Sequence, residues 1–236
     1  GFSDTTVNHF MLHKVGPPTI YGQAFLPDVC ELGADMLPYT RRYFEELIRT
    51  GRIAAVTPSD TWYETRKDFS ADQVGTAMPA YKNDGFELLR GHARFEGEIL
   101  GGCMDTIFDM FDGTRYADMP DVIRRYGLFP AAEAWRGKIL LLESSEEKPS
   151  PEKYRRALEY LRDAGVFAAV SGVLVGKPMD DTHHAAYKQA LLDIIPDMEL
   201  PIVCNLSVGH AQPRCILPFG VHATVDADTQ RITFAF

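Results

Sequence analysis

The sequence predicts an α/β fold with a small parallel sheet and a terminal hairpin, and three observations carry that prediction. From Lys138 onward, short apolar runs alternate with stretches of helical periodicity, the pattern of strand–helix–strand units and a parallel sheet. Residues 216–236 read as two strands joined at Asp226-Ala227-Asp228. Near the start, a helix-patterned segment runs into Gly16-Pro17-Pro18 and is followed by a short β-prone run.

In chain order, Thr5 to Val15 is predicted as a helix with Phe10, Met11 and Leu12 as its apolar body. Thr19 to Gly22 reads as a short buried strand. Thr40 to Thr50 fits a second helix with Phe44, Leu47 and Ile48 at helical spacing, capped by Gly51. The polar stretch from Ser59 to Arg94 reads as strands and long loops, where binding elements are expected. Glu98 to Met110 starts as a strand and continues as a helix through Gly101-Gly102. Ala117 to Arg136 looks like an insertion, with one short helical stretch between Pro120 and Pro130. Then come a strand at Lys138–Leu142, a helix at Pro151–Ala164, a strand at Gly172–Val175, a helix at His184–Ile194 and a strand at Pro201–Asn205.

The 236 residues suffice for one large or two small domains, and 45% hydrophobic with 24% charged residues is ordinary for a folded soluble chain. The net charge of −9 argues against nucleic-acid binding, which needs clustered Lys and Arg. Four cysteines without a CxxC pair disfavour a zinc knuckle or a thioredoxin-like site. Cys103 and Cys204 lie in apolar runs and read as buried reduced thiols, which fits a reducing, cytoplasmic setting. No run is long and apolar enough to span a bilayer, so no membrane partner is expected.

Three segments carry chemistry. Gly1-Phe2-Ser3-Asp4 precedes the first helix, Glu143 ends the run Lys138 to Leu142, and His210 follows Cys204 to Gly209. A hydroxyl at a tight turn, with a carboxylate and a histidine at strand ends, makes up a Ser-His-acid triad. Ligands in α/β sheets sit at those carboxyl ends. Ser3 would attack an acyl carbon, His210 would take and return its proton, and Glu143 would hold the imidazole. The backbone N–H of Asp4 at the helix N-terminus would donate to the oxyanion. Each residue also has a plainer reading: Ser3 as an N-cap, Glu143 as a strand-exit carboxylate with Glu146 and Glu147 in the first turn of the next helix, and His210 as a structural histidine. Lys177 at the third strand end meets either a substrate anion or solvent. Asp180-Asp181 before His183-His184 invites a metal reading, but a helix cap is the commoner use; no metal site is predicted.

These segments resemble the LD-carboxypeptidase and microcin C immunity family of serine peptidases. Gly1-x-Ser3-Asp4-x-Thr6 is similar to its nucleophile motif, and Leu142-Glu143-x-Ser145-Glu146-Glu147 to its glutamate motif. Asn205-Leu206-x-x-Gly209-His210-x-x-Pro213, then Leu217-Pro218-x-Gly220, is similar to its histidine motif. Gly97-x-x-x-Gly101-Gly102-Cys103 and Gly113-Thr114 also fit. The resemblance implies two domains. Residues 1–50 would be the remnant of an N-terminal α/β nucleophile domain whose upstream part, with a second oxyanion donor, lies outside this sequence. Residues 51–236 would be the C-terminal α/β domain carrying Glu143 and His210.

The resemblance further implies a cofactor-free serine hydrolase, with a homodimeric state as the family expectation. Ser59-Asp60-Thr61-Trp62 is similar to a loop of the microcin-immunity branch, where an aromatic ring stacks on a nucleobase. Trp62 is therefore the candidate substrate-binding residue, with packing in its own loop as the alternative. The expected substrate is a peptidyl- or aminoacyl-nucleotide amide. One alternative is an LD-carboxypeptidase acting on murein tetrapeptides. The other is a non-catalytic binding fragment.

Overall fold

The computed structural model describes all 236 residues. Its strands are β1 (Thr19–Tyr21), β2 (Ala55–Val56), β3 (Thr61–Tyr63), β4 (Ala80–Lys82), β5 (Glu87–Arg90), β6 (Arg94–Cys103), β7 (Lys138–Glu143), β8 (Gly172–Gly176), β9 (Ile202–Leu206), β10 (Leu217–Phe219), β11 (His222–Asp226) and β12 (Arg231–Ala235). Its helices are α1 (Thr6–Val15), α2 (Pro38–Thr50), α3 (Met104–Asp112), α4 (Met119–Tyr126), α5 (Pro151–Asp163) and α6 (His184–Ile194).

The fold is α/β, as predicted, but the sheet is larger and mixed. Eight strands run in the order β2-β12-β11-β6-β7-β8-β9-β5. β6 to β9 form the parallel centre, while β11, β12 and β2 extend it antiparallel on one side and β5 on the other. The parallel unit was legible because β7, β8 and β9 are buried nearly along their whole length and read as largely apolar runs. The flanking strands are only two residues long, as in β2, or half-polar, as in β5 and β11, so the full width was not.

The terminal hairpin exists but begins at His222, with its turn after Asp226. Leu217–Phe219 leaves it to pair antiparallel with Thr19–Tyr21 in a separate two-stranded sheet. Gly101 and Gly102 belong to β6 rather than to the helix, which starts at Met104. Both have positive φ, and a Cβ on Gly101 would overlap the Leu141 carbonyl. A Cβ on Gly102 would lie 2.6 Å from Thr6 Oγ1 and 2.8 Å from the Tyr21 ring. Bare Gly102 thus lets the start of α1 and the end of β1 close onto the carboxyl edge of the sheet, while bare Gly101 lets β7 run close beside β6.

Residues 117–136, read as an insertion, are anchored to the core at Ile123 and Trp135. Pro120 sits in the first turn of α4, where a missing N–H costs nothing, and Trp135 is completely buried against Phe10 and Phe129. In α2 the buried anchor is Tyr43, whereas Ile48 is 72% exposed. Phe10, Tyr21 and Tyr43 join the same contiguous core as β6 to β9. No helix is long and apolar enough to cross a membrane, and all four cysteines are free thiols.

Candidate active site

The carboxyl ends of β6, β7 and β9 meet the N-terminal segment at one place. Ser3 opens a 3-10 turn, Ser3–Thr5, that leads directly into α1. Its φ of 61° is left-handed, a conformation that costs a non-glycine residue roughly 1–3 kcal/mol. Gly22 N–H donates to the Gly1 carbonyl at 3.1 Å and ties this segment to β1. Asp4 follows in the same turn, where the first backbone N–H groups of a helix lack intrahelical acceptors. Its carboxylate lies in solvent, 3.5 Å from Arg115.

Glu143 is the last residue of β7, paired in register with Cys103 of β6, and its side chain is fully buried. Oε1 accepts from the Tyr21 hydroxyl at 2.6 Å. Oε2 accepts from the His210 backbone N–H at 3.1 Å and contacts His210 Nδ1 at 2.7 Å. The loop can approach this closely because Gly209, at φ 75°, has no Cβ; one there would overlap the Glu143 carboxyl group. The Phe2 ring packs edge-on against the imidazole at 4.8 Å between centroids.

The far nitrogen of His210 is occupied by a residue the sequence placed elsewhere. The sequence suggests a first-turn helix position for Glu146, but α5 starts only at Pro151 and Glu146 lies on the connecting turn. Its Oε2 stands 2.8 Å from His210 Nε2. Burial pulls the His210 pKa down, but the charges and hydrogen bonds of Glu143 and Glu146 outweigh it and hold the pKa at about 9. The hydrogen bond to His210 takes Glu146 down to about 2. His210 is therefore an imidazolium between two carboxylates at neutral pH.

Two clefts meet here, and Ser3 and Glu146 line both. One, of about 550 Å³, is lined mainly by apolar surface and includes Phe2, His210, Met78, Gln212 and Arg214. The other, of about 490 Å³, is charged and includes Asp4, Cys103, Asp109, Arg115 and Lys153. The structure thus brings Ser3, Asp4 and His210 to one place with Glu143 beneath them.

Trp62 lies apart, in a neighbouring cleft of about 520 Å³ with Asn83, Lys177 and Asn205. It stacks on Tyr81 at 4.5 Å across the β3–β4 pair. Its strand is nonetheless joined to the first cleft, since Tyr63 N–H donates to the Gln212 carbonyl at 2.9 Å.

Several residues of this region have surroundings that the sequence does not show. Lys177 is buried, with its ammonium 2.5 Å from Asp181 and 4.9 Å from the Trp62 centroid, so it is no solvated exit residue. His183 takes the N-cap position of α6 but makes no capping bond; Asp181 contacts Lys177 and His184 instead. Arg214, also buried, contacts Asp28 at 2.9 Å, donates to the His210 carbonyl at 3.2 Å and covers the Phe2 ring at 4.4 Å. The only sequence signal for Arg214 was its position just after Pro213 of the histidine segment. Cys103, Glu143 and His210 each bring a ligand-type atom within 4.8 Å of the others. Both carboxylate oxygens of Glu143 are already engaged, and burial raises the Cys103 thiol far above its usual pKa, which disfavours the thiolate a soft metal needs.

Residues 96–225, the span from β6 to β11, match the LD-carboxypeptidase C-terminal domain. The chain belongs to the LD-carboxypeptidase and microcin-immunity (MccF) family. An MccF-like protein from Streptococcus pneumoniae, solved in complex with AMP, is 58% identical with a TM-score of 0.98, over 100% of this chain and 68% of that one. The microcin C7 self-immunity protein MccF of Escherichia coli is 23% identical over 99% of this chain and 64% of its own. Its structures share the fold, with a TM-score of 0.78 over 100% of this chain and 66% of that one. A Vibrio cholerae protein with a provisional carboxypeptidase name is 26% identical over 97% of this chain and 63% of its own length. The chain thus spans somewhat less than two thirds of the curated family members it matches.

Proposed function

We propose that this chain carries the catalytic groups of a serine amidase that hydrolyses peptidyl- or aminoacyl-nucleotides, with Ser3 as nucleophile, His210 as general base and Glu143 as its orienting carboxylate. The observation that carries the reading is the buried 2.7 Å contact between Glu143 and His210 Nδ1, made at the rim of a cleft that Ser3 also lines. Ser3 Oγ adds to the amide carbon while its proton passes to His210 Nε2. The intermediate oxyanion is held at the N-terminus of α1, where the Asp4 N–H is the nearest candidate donor. On collapse the leaving amine takes the proton from His210, and water hydrolyses the acyl-serine by the same route.

The nucleotide half of the reading rests on the relatives. The Streptococcus pneumoniae protein was solved with AMP, and the Escherichia coli immunity protein with aspartyl sulfamoyl adenosine. In this chain the base would reach the Trp62 cleft, next to the one holding Ser3. The matched domain's name favours a second substrate, a murein tetrapeptide that would lose a terminal D-alanine. Side-by-side turnover of an aminoacyl sulfamoyl adenylate and an L,D-tetrapeptide separates the two. Ser3→Ala should abolish either activity, and unchanged turnover in that variant refutes the serine mechanism.

A further inference from the structure

We propose that Glu146 is a positioning residue that competes with Ser3 for Nε2 of His210, closing the site in the free protein and opening it when its carboxylate is drawn away. This rests on the serine-hydrolase reading above and adds a residue and a control step to it. The nitrogen that must accept the serine proton is the one Glu146 contacts at 2.8 Å. One imidazole nitrogen cannot hold a proton for a carboxylate and accept another from a hydroxyl, so the two contacts exclude each other.

The geometry shows the closed position and leaves the carboxylate free to turn away. The Glu146 side chain is 60% exposed on a turn that belongs to no helix, so little else fixes it. It stands where the two clefts meet, and Arg115 in the charged cleft offers a second partner of opposite sign. Every other group facing His210 is anchored. Glu143 comes from β7 and is held by Tyr21 of β1. Cys103 is the buried end of β6. Arg214 is paired with Asp28 and touches only the His210 carbonyl, and Phe2 brings no charge. Glu146 is thus the one charged neighbour free to leave, and its departure lowers the imidazole pKa from about 9. At pH 7 a pKa of about 9 leaves roughly one histidine in a hundred neutral; each unit it falls raises that share about tenfold.

The test needs no natural substrate. The rate of Ser3 labelling by a fluorophosphonate is measured against pH in the wild type, Glu146→Gln and Glu146→Ala, with Ser3→Ala as blank. His210 is titrated in the same proteins by NMR of its imidazole. The acid limb of labelling should lie near pH 9 in the wild type and fall by a unit or more in both variants, with labelling at pH 7 about tenfold faster. Labelling and titration curves that superpose on the wild type overturn the proposal while leaving the hydrolase reading intact. No labelling at Ser3 in any protein, with the His210 titration still shifted by a unit, removes the hydrolase reading and leaves the Glu146 contact as argued.

Discussion

The Tyr21 hydroxyl donates a 2.6 Å hydrogen bond to Oε1 of Glu143, joining strands 122 residues apart in the chain. It leaves Oε2 to the histidine loop and fixes the plane of the carboxylate. Burial, followed by the Glu143 charge, raises the phenol far above its usual pKa, so it remains a donor at every working pH. Tyr21→Phe removes the donor and leaves a buried carboxylate oxygen without its partner. The expected cost is about 1–3 kcal/mol in urea denaturation. Turnover should fall about tenfold at constant KM, because the base is misaligned rather than lost. A variant with wild-type stability and turnover would show that the bond positions nothing.

Gly209→Ala tests how the histidine loop reaches the carboxylate. The new Cβ meets the Glu143 carboxyl group at a backbone position with φ 75°. The left-handed conformation alone costs about 1–2 kcal/mol, and the overlap must also push Glu143 or the loop aside. Stability should drop by more than about 2 kcal/mol, and the titration of His210 should move toward its ordinary value. Retention of the raised His210 pKa in this variant would mean that the loop tolerates a side chain there.

What the sequence disclosed and what it concealed divide along physical lines. β7, β8 and β9 were legible because strands buried on both faces must be apolar throughout, and Glu143 and His210 stood out as polar residues at their exits. Trp135 was missed because a buried aromatic among prolines and charges carries no periodic signal. Glu146 was missed because a carboxylate shortly before a helix fits a dipole partner as well as an imidazole partner. The burial of Arg214 and Lys177 was hidden because long cationic side chains are usually solvated, and only the fold shows that each lies beside a carboxylate.

The pH dependence of stability follows from the same cluster. The folded pKa of His210, about 9, lies above its ordinary value of 6.5. Its contribution is therefore complete below about pH 6.5 and is lost as the pH rises through about 9. With the imidazole almost fully buried, that contribution is on the order of 3 kcal/mol. Glu146 has the opposite sign: its folded pKa of about 2 lies below the ordinary 4.5, so its contribution is present above pH 4.5 and lost toward pH 2. The two describe one shared contact and are not added. Urea denaturation between pH 6 and 10 should show a decline that is absent in His210→Gln. A wild-type curve flat across this range would contradict an imidazolium between two carboxylates.

Arg214 should prove the most sensitive residue outside the proposed triad. It and Asp28 are both almost completely buried, and the guanidinium also binds the His210 carbonyl and covers Phe2. Breaking a buried pair from one side leaves an uncompensated charge, typically at a cost of about 3–5 kcal/mol. Arg214→Met should fall in that range and loosen both segments that meet at Ser3, since Phe2 loses its cover and the histidine loop a donor. Adding Asp28→Asn to Arg214→Met removes the stranded charge while keeping an acceptor for the Ala24 N–H, which donates to Asp28 at 2.7 Å. The double variant should therefore be more stable than Arg214→Met alone, yet still label Ser3 slowly, because the contacts to Phe2 and the His210 carbonyl are not restored. Equal stability of the single and double variants would mean that the Asp28 charge is not what makes the loss of Arg214 costly.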